Sequence, residues 1–103
     1  MVGVVVLAEL LQKAVAHAGD GNFHPLLAVD ADVPDAAGRV ERAADDLVRT
    51  ALALGGTISG EHGIGTAKQR WITDELTDVS LTLQRGVKAV FDPRGILNPG
   101  RAY

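Results

Sequence analysis

The chain has 103 residues, 47% of them hydrophobic, so it can bury one modest core and is at most one domain. Its 10 Lys and Arg are scattered among 13 acidic residues, for a net charge of −3, which argues against a nucleic-acid partner. Cysteine is absent, which excludes disulfides, thiolate zinc sites and cysteine nucleophiles and fits a reducing, cytoplasmic compartment.

The chain opens on an apolar segment that lacks the features of a signal peptide. No Lys or Arg precedes Val2–Ala8, and Glu9 ends the segment, so we interpret it as the start of a strand or a helix. Nothing approaches the roughly 20 apolar residues of a membrane-spanning helix. We therefore expect a protein without a membrane span, at most peripheral at a membrane surface.

A β-hairpin is the clearest local prediction. Small and apolar residues run through Ala14–Gly19, Asp20-Gly21 supplies the dipeptide of a type I′ turn, and Asn22–Val29 returns as a strand. With a two-residue loop, His17 would lie directly opposite His24, with Cβ atoms about 4.5–5.5 Å apart. Both imidazoles could then converge on one metal ion.

One amphipathic helix should follow the hairpin. Pro34 is tolerated in its first turn, and Gly55-Gly56 ends it, because glycine adopts the left-handed C-cap conformation without a Cβ penalty. The apolar positions at helical spacing are Val40, Ala44, Leu47, Val48, Ala51 and Leu54.

The second half of the sequence predicts a glycine-rich loop between two regular segments. Thr57–Ser59 should be extended, and Gly60–Gly65 should form a loop that opens onto a short helical stretch including Lys68–Trp71. A last helix ends at Asp92-Pro93 and is followed by turns. Its apolar face contains Leu76, Val79, Leu83, Val87, Val90 and Phe91. Four basic side chains are interpreted as solvated and receive no role: Lys68, Arg70, Lys88 and Arg94.

All three histidines lie in glycine-rich segments, and the third directly follows a carboxylate in Glu61-His62. Two histidines and one glutamate are a common open metal site that leaves positions for water or substrate oxygens. The alternative is that His17 and His24 are an accidental cross-strand pair and that the glycines serve only the turn.

Three segments together resemble successive motifs of the FAD-linked oxidase C-terminal domain. They are His17–His24, Gly55–Gly65 and Asp92–Arg101, which occur in the family's order and spacing. That family includes D-lactate dehydrogenases, the glycolate oxidase flavin subunit and D-2-hydroxyglutarate dehydrogenase. The resemblance covers residues from about 14 to 103.

The resemblance implies an α+β fold with an antiparallel sheet and helices packed on one face. Residues 1–103 would be a single partial domain, the C-terminal part of the substrate domain of a flavoenzyme. The FAD-binding domain of the family lies upstream, so the implied partner is an upstream FAD-binding domain or chain. A domain cut in this way should expose an apolar patch, which a homodimer would cover.

The resemblance also assigns chemical roles. His17, His24 and Glu61 would bind a divalent metal, zinc or manganese, and His62 would be the general base. The reaction implied is oxidation of a D-2-hydroxy acid of the glycolate or D-lactate type, with hydride passing to FAD. An imidazole titrates near neutral pH, which suits a general base.

Some positions have two interpretations. Asn22 and Asn98 could contact flavin or substrate, or they could simply belong to turns. Gly60, Gly63 and Gly65 could allow close approach of the cofactor, or they could serve loop geometry alone. Leu26 stands where some family members have an asparagine near the substrate, which leaves the identity of the substrate open.

The sequence lacks a glycine-rich turn after a strand that could cradle the FAD pyrophosphate ahead of the hairpin. We therefore expect the chain alone to bind no FAD tightly and to turn over no substrate. Two alternatives to a flavoenzyme fragment stay open. One is a standalone metal-binding module, and the other is a non-catalytic subunit that completes a separate flavin-binding chain.

Overall fold

Two strands, a 3-10 turn and three α-helices make up the part of the chain that the computed structural model describes, residues 11–102. The strands precede the helices, which confirms the predicted α+β class. The chain divides into two units, one up to Ala53 and one from Leu54. The predicted strand or helix start at Val2–Ala8 lies outside the described residues.

The hairpin forms as predicted, with β1 at Leu11–His17 and β2 at Asn22–Ala28 in antiparallel pairing. The predicted two-residue turn is wrong, because four residues separate the strands. A β-turn closes where the Asp20 amide donates to the His17 carbonyl at 3.0 Å. Gly21 follows this turn with a φ of 71°. Glycine adopts this left-handed conformation without strain, so Gly21 can be the last residue of the four-residue loop. Hairpin loops of this length are usually built around a β-turn.

The first helix, α1, spans Ala36–Ala53, and its start differs from the prediction. Pro34 lies in a turn before the helix, which closes where the Ala36 amide donates to the Val33 carbonyl at 3.2 Å. Asp35 has a φ of 57°, and a left-handed residue after proline is the pattern of a type II turn. Helical backbone cannot pass through that residue, so α1 starts after it.

The predicted end of α1 is confirmed, but its apolar face is confirmed only in part. Leu54 lies beyond the helix with 68% exposure, and the buried Ala43 was not among the predicted positions. Gly55 has a φ of 79° just after the helix, as a left-handed C-cap requires. The helix contacts β2, and Ala43 is its buried position, with 3% exposure. Val40 and Leu47, one helical turn on either side of Ala43, are half-buried. The side-chain stripe through Ala43 is thus the most buried part of the described residues of the first unit.

The second unit contains the 3-10 turn Gln69–Trp71 and two helices, α2 at Ile72–Glu75 and α3 at Asp78–Phe91. Its buried apolar side chains are Ile58, Ile72 and Leu81. On α3 the predicted apolar positions from Val79 onward lie on the exposed side, whereas Leu81 on the opposite side is buried. Five side chains form this exposed apolar face: Val79, Leu83, Val87, Val90 and Phe91.

Side-chain hydrogen bonds define both ends of α3. The Thr77 hydroxyl accepts from the Ser80 amide at 3.3 Å and caps the N-terminus. At the other end, the buried Asp92 carboxylate accepts from Lys88 Nζ at 2.6 Å and from the Ile96 and Leu97 amides at 2.8 and 3.0 Å. The interpretation of Lys88 as a solvated side chain is therefore wrong, since it organises the turn after the helix.

The hydrogen bond from Lys88 lowers the pKa of Asp92 below its ordinary value of 3.8, and burial opposes this shift. An unfolded chain then binds more protons than the folded one at acidic pH. The stability that ionised Asp92 contributes is present above pH 3.8 and is lost as the pH falls through the lowered value. We predict that Asp92→Asn is less stable than the natural chain at neutral pH.

This difference in stability should shrink as the pH falls below about 5, because Asp92 becomes protonated first in the unfolded chain and then, at its lowered pKa, in the folded one. Urea unfolding of both proteins across this range measures it. Asp74→Asn, which changes an exposed carboxylate, is the control. A stability difference that does not change with pH would contradict the role given to the Asp92 charge.

Candidate functional site

Two histidines share one face of the hairpin. His17 ends β1 and is exposed, whereas His24 lies in β2 and is half-buried. Their ring centroids are 5.3 Å apart, and the ring planes cross at 88°. This edge-to-face contact brings the two imidazoles together at the turn end of the hairpin.

The register differs from the predicted one by two residues. His17 pairs with Asn22, and His24 pairs with Val15, so the histidines are diagonal neighbours and do not lie directly opposite each other. They still share a face, because side chains alternate with a period of two along a strand. Asn22 lies on that face beside His17, and Leu26 lies two residues beyond His24 with 59% exposure.

The second pair of predicted site residues lies in the glycine-rich loop of the other unit. Glu61 and His62 are both exposed, and Glu61 Oε1 lies 3.6 Å from His62 Nε2. Gly63 and Gly65 have φ values of 74° and 57°, so the backbone just after His62 is left-handed at both glycines. Loop geometry thus accounts for these two glycines, while Gly60 is exposed at the start of the loop.

Charged side chains hold the backbone that enters this loop. The Glu75 carboxylate accepts from the Thr57 hydroxyl at 2.5 Å and from the Ile58 amide at 2.8 Å. Lys68 Nζ donates to the Ile58 carbonyl at 2.8 Å, so its interpretation as a solvated side chain is wrong. The residues predicted to be extended, Thr57–Ser59, form no β-strand, and the side chains of Glu75 and Lys68 take the place of a strand partner at Ile58.

Sequence reasoning missed Glu75 and Lys68 as residues of this region. The available signal was that Lys68 lies four residues before Ile72 and Glu75 three residues after it, spacings at which helical side chains are neighbours. Ile72 is buried and both charged side chains are half-buried. A half-buried charged side chain requires hydrogen-bond partners, and here these are the Thr57 hydroxyl and the Ile58 backbone.

The chain leaving the loop is held by the C-terminal residues. The Ala102 amide donates to the Gly65 carbonyl at 2.8 Å, and Gln69 Nε2 donates to the Gly100 carbonyl at 2.9 Å. Asn98 begins the last β-turn, which closes where the Arg101 amide donates to the Asn98 carbonyl at 3.2 Å. Its φ of 45° suits the interpretation of Asn98 as a turn residue. A contact of Asn98 with a cofactor stays a prediction.

A family model, "FAD linked oxidases, C-terminal domain", matches residues 7–102. The chain belongs to this family. The match includes the two histidines, the glycine-rich loop and the C-terminal turn, and it confirms the resemblance inferred from the three motifs. The hairpin and helices are accordingly part of an FAD-linked oxidase C-terminal domain.

Curated relatives of this FAD-linked oxidase chain are much longer than the chain. Glycolate oxidase subunit GlcD of Bacillus subtilis (strain 168) is 44% identical over 87 residues, which are 84% of this chain and 18% of the relative. GlcD of Escherichia coli (strain K12) is 44% identical over 102 residues, 96% of this chain and 20% of the relative.

A third relative is the mitochondrial D-lactate dehydrogenase (cytochrome) of Arabidopsis thaliana. It is 38% identical over 94 residues, which are 91% of this chain and 17% of the relative. The chain therefore spans about a fifth of the length of these relatives. Within the described residues, no helix has the length and apolar content needed to cross a bilayer.

The left-handed backbone at Gly63 gives a direct test of the loop geometry. A Cβ at Gly63 would meet nothing within 4 Å, so Gly63→Ala should cost only conformational strain, about 1–2 kcal/mol of unfolding free energy. Gly86 also has open space, but it lies within α3. Gly86→Ala should instead stabilise the protein by up to about 1 kcal/mol. Opposite shifts in urea unfolding support this geometry, and equal shifts would refute it.

Proposed function

We propose that this chain is the C-terminal portion of an FAD-dependent oxidoreductase that oxidises a D-2-hydroxy acid of the glycolate or D-lactate type. The main support for this proposal is the family match over residues 7–102, because the matched region contains both the histidine pair and the Glu61-His62 loop. Relatives are named glycolate oxidase subunit and D-lactate dehydrogenase, which supports this substrate class. Residues 1–103 would be the C-terminal part of the substrate domain.

The donor set suits a divalent metal, zinc or manganese, and we assign His17, His24 and Glu61 as its ligands. Imidazole and carboxylate are the ligands expected in a chain without cysteine. The two rings, with centroids 5.3 Å apart on one face of the hairpin, support the assignment, because two adjacent imidazoles can bind one ion. When bound, the metal supplies positive charge that holds the carboxylate and the hydroxyl of the substrate.

His62 is the general base of the proposed reaction. An unprotonated ring nitrogen of His62 takes the hydroxyl proton of the substrate while the C2 hydrogen leaves with its electron pair. FAD supplies the acceptor for that hydride, and the product is a 2-oxo acid. His62 is exposed and directly follows the proposed ligand Glu61, so the base and a metal ligand lie together on one loop.

Four residues are proposed to contact the cofactor or the substrate: Asn22, Gly60, Gly63 and Asn98. Asn22 shares the strand face of the histidine pair, and Gly60 and Gly63 border the Glu61-His62 dipeptide. A glycine without a Cβ allows a ring system to approach the backbone closely. Leu26 is exposed on the face of His24, and it leaves the identity of the 2-hydroxy acid open.

The proposed partner is an upstream FAD-binding domain or chain. The exposed apolar face of α3 supports a partner surface, since its five large side chains favour burial. A homodimer is the alternative use of this surface. We expect the protein to act in the cytoplasm, with the membrane surface as the alternative location.

The metal assignment predicts that Glu61→Ala and His24→Ala each lower metal affinity at least about 100-fold in the full-length protein, since even supporting residues are worth 10–100-fold. Asp74→Ala removes an exposed carboxylate on α2 and should keep the metal. Equilibrium dialysis followed by elemental analysis measures the bound zinc and manganese. Unchanged metal affinity in both site variants would disprove the ligand assignment.

The base assignment predicts a different result for His62→Asn. This variant should keep its metal and flavin but lose about 10²–10⁴-fold in rate with glycolate or D-lactate, the usual contribution of a general base. Dye reduction measures the rate, and metal and flavin contents measured on the same sample are the control. A rate within a few-fold of that of the natural protein would remove His62 from the mechanism.

A further inference from the structure

Two charged side chains bind both polar groups of the Ile58 backbone. Glu75 Oε2 accepts from the Ile58 amide, and Lys68 Nζ donates to the Ile58 carbonyl, each at 2.8 Å. Glu75 Oε1 also accepts from the Thr57 hydroxyl, whose oxygen in turn accepts from the Ser59 amide at 3.2 Å. We call this arrangement of Thr57, Ile58, Lys68 and Glu75 the Ile58 clamp.

The clamp closes the base of the glycine-rich loop. The bond from Lys68 to Ile58 joins two points ten residues apart in the chain, and Glu61 and His62 lie between them. Ile58 and Ile72 are buried at the base, whereas both loop side chains are exposed. The loop therefore projects from a fixed base.

The other end of the loop is held independently. The Gly65 carbonyl accepts from the Ala102 amide at 2.8 Å, and Gln69, directly after Lys68, donates to the Gly100 carbonyl. With Ile58 and Gly65 both fixed, few backbone conformations remain for the residues between them. The directions of the Glu61 and His62 side chains thus depend on the groups that fix these two points.

We propose that Glu75 and Lys68 are positioning residues for the Glu61-His62 loop, an inference that rests on the proposed function for its effect on the reaction. Neither residue touches the substrate or the metal in this proposal. Their bonds to the backbone are charge-assisted, and such bonds are shorter and about twice as strong as neutral ones. They hold the backbone that carries the ligand and the base.

The key comparison is between two substitutions of Glu75. In Glu75→Ala the Ile58 amide loses its acceptor, so the base of the loop should loosen. In Glu75→Gln the side-chain oxygen can still accept from that amide, and the amide nitrogen can donate to the Thr57 hydroxyl oxygen. The glutamine variant should therefore restore most of the positioning without the charge.

The experiment uses the full-length protein loaded with FAD and zinc, with Asp74→Ala as the control for loss of a neighbouring carboxylate on α2. Glu75→Ala should lose about 10–100-fold in zinc affinity or in rate, as supporting residues of metal sites do. Glu75→Gln should stay within a few-fold of the natural protein. Lys68→Met, which keeps the apolar stem, should resemble Glu75→Ala.

Amide hydrogen exchange at Ile58 and through residues 59–66 provides a second measurement that requires neither metal nor turnover. We expect at least tenfold faster exchange in Glu75→Ala than in Asp74→Ala, and near-normal exchange in Glu75→Gln. Equal exchange in the alanine variants of Glu75 and Asp74 would overturn the inference. So would a loss of rate in Glu75→Ala that only follows its loss of thermal stability.

The two proposals can fail separately. If the natural protein binds no zinc and oxidises no 2-hydroxy acid, the proposed function fails, and the exchange measurement still decides whether the clamp positions the loop. If Glu75→Ala does not fold, Thr57→Val takes its place. That variant removes the hydroxyl that links Glu75 to the Ser59 amide, so exchange at Ser59 should rise, and unchanged exchange would overturn the inference.

Discussion

The hydrogen bonds required by the buried backbone of Ile58 determine the structure at the base of the glycine-rich loop. Ile58 is an apolar anchor of the second unit, and burial of its side chain draws its backbone amide and carbonyl away from water. Buried backbone groups require partners. Strand pairing supplies them in the hairpin, but Ile58 belongs to no strand, and Glu75 and Lys68 supply them instead. Because Ile58 is buried, its backbone is hydrogen-bonded to two charged side chains at the base of the loop that carries Glu61 and His62.

The hairpin meets a different constraint, the alternation of side chains along a strand. A shift of the register by one residue would move one histidine to the other face and separate the pair, whereas a shift by two keeps both on one face. The pairing of His17 with Asn22 shows the second case. The shared face therefore depends on the parity of the loop length, and a four-residue loop serves as well as a two-residue one.

Features set by neighbouring residues could be predicted from the sequence, whereas features set by backbone dihedrals or by distant residues could not. Local signals predicted three features that the structure contains. They are the hairpin, the end of α1 just before Gly55 and the end of α3 before Pro93. The four-residue turn and the position of Pro34 depend on backbone dihedrals that the same dipeptides allow in several ways. The clamp escaped prediction because its hydrogen bonds join residues 10 to 18 positions apart.

The C-terminal turn and the loop form one continuous set of contacts in the second unit. Asp92 accepts from the amides of Ile96 and Leu97, Gln69 donates to the Gly100 carbonyl, and the Gly65 carbonyl accepts from the Ala102 amide. In the same unit, Leu81 of α3 is buried, while the broad apolar face of the helix is exposed. If the proposed function holds, the two sides of α3 have separate tasks. One side buries Leu81 within the second unit, and the other offers its apolar side chains to the upstream part of the enzyme.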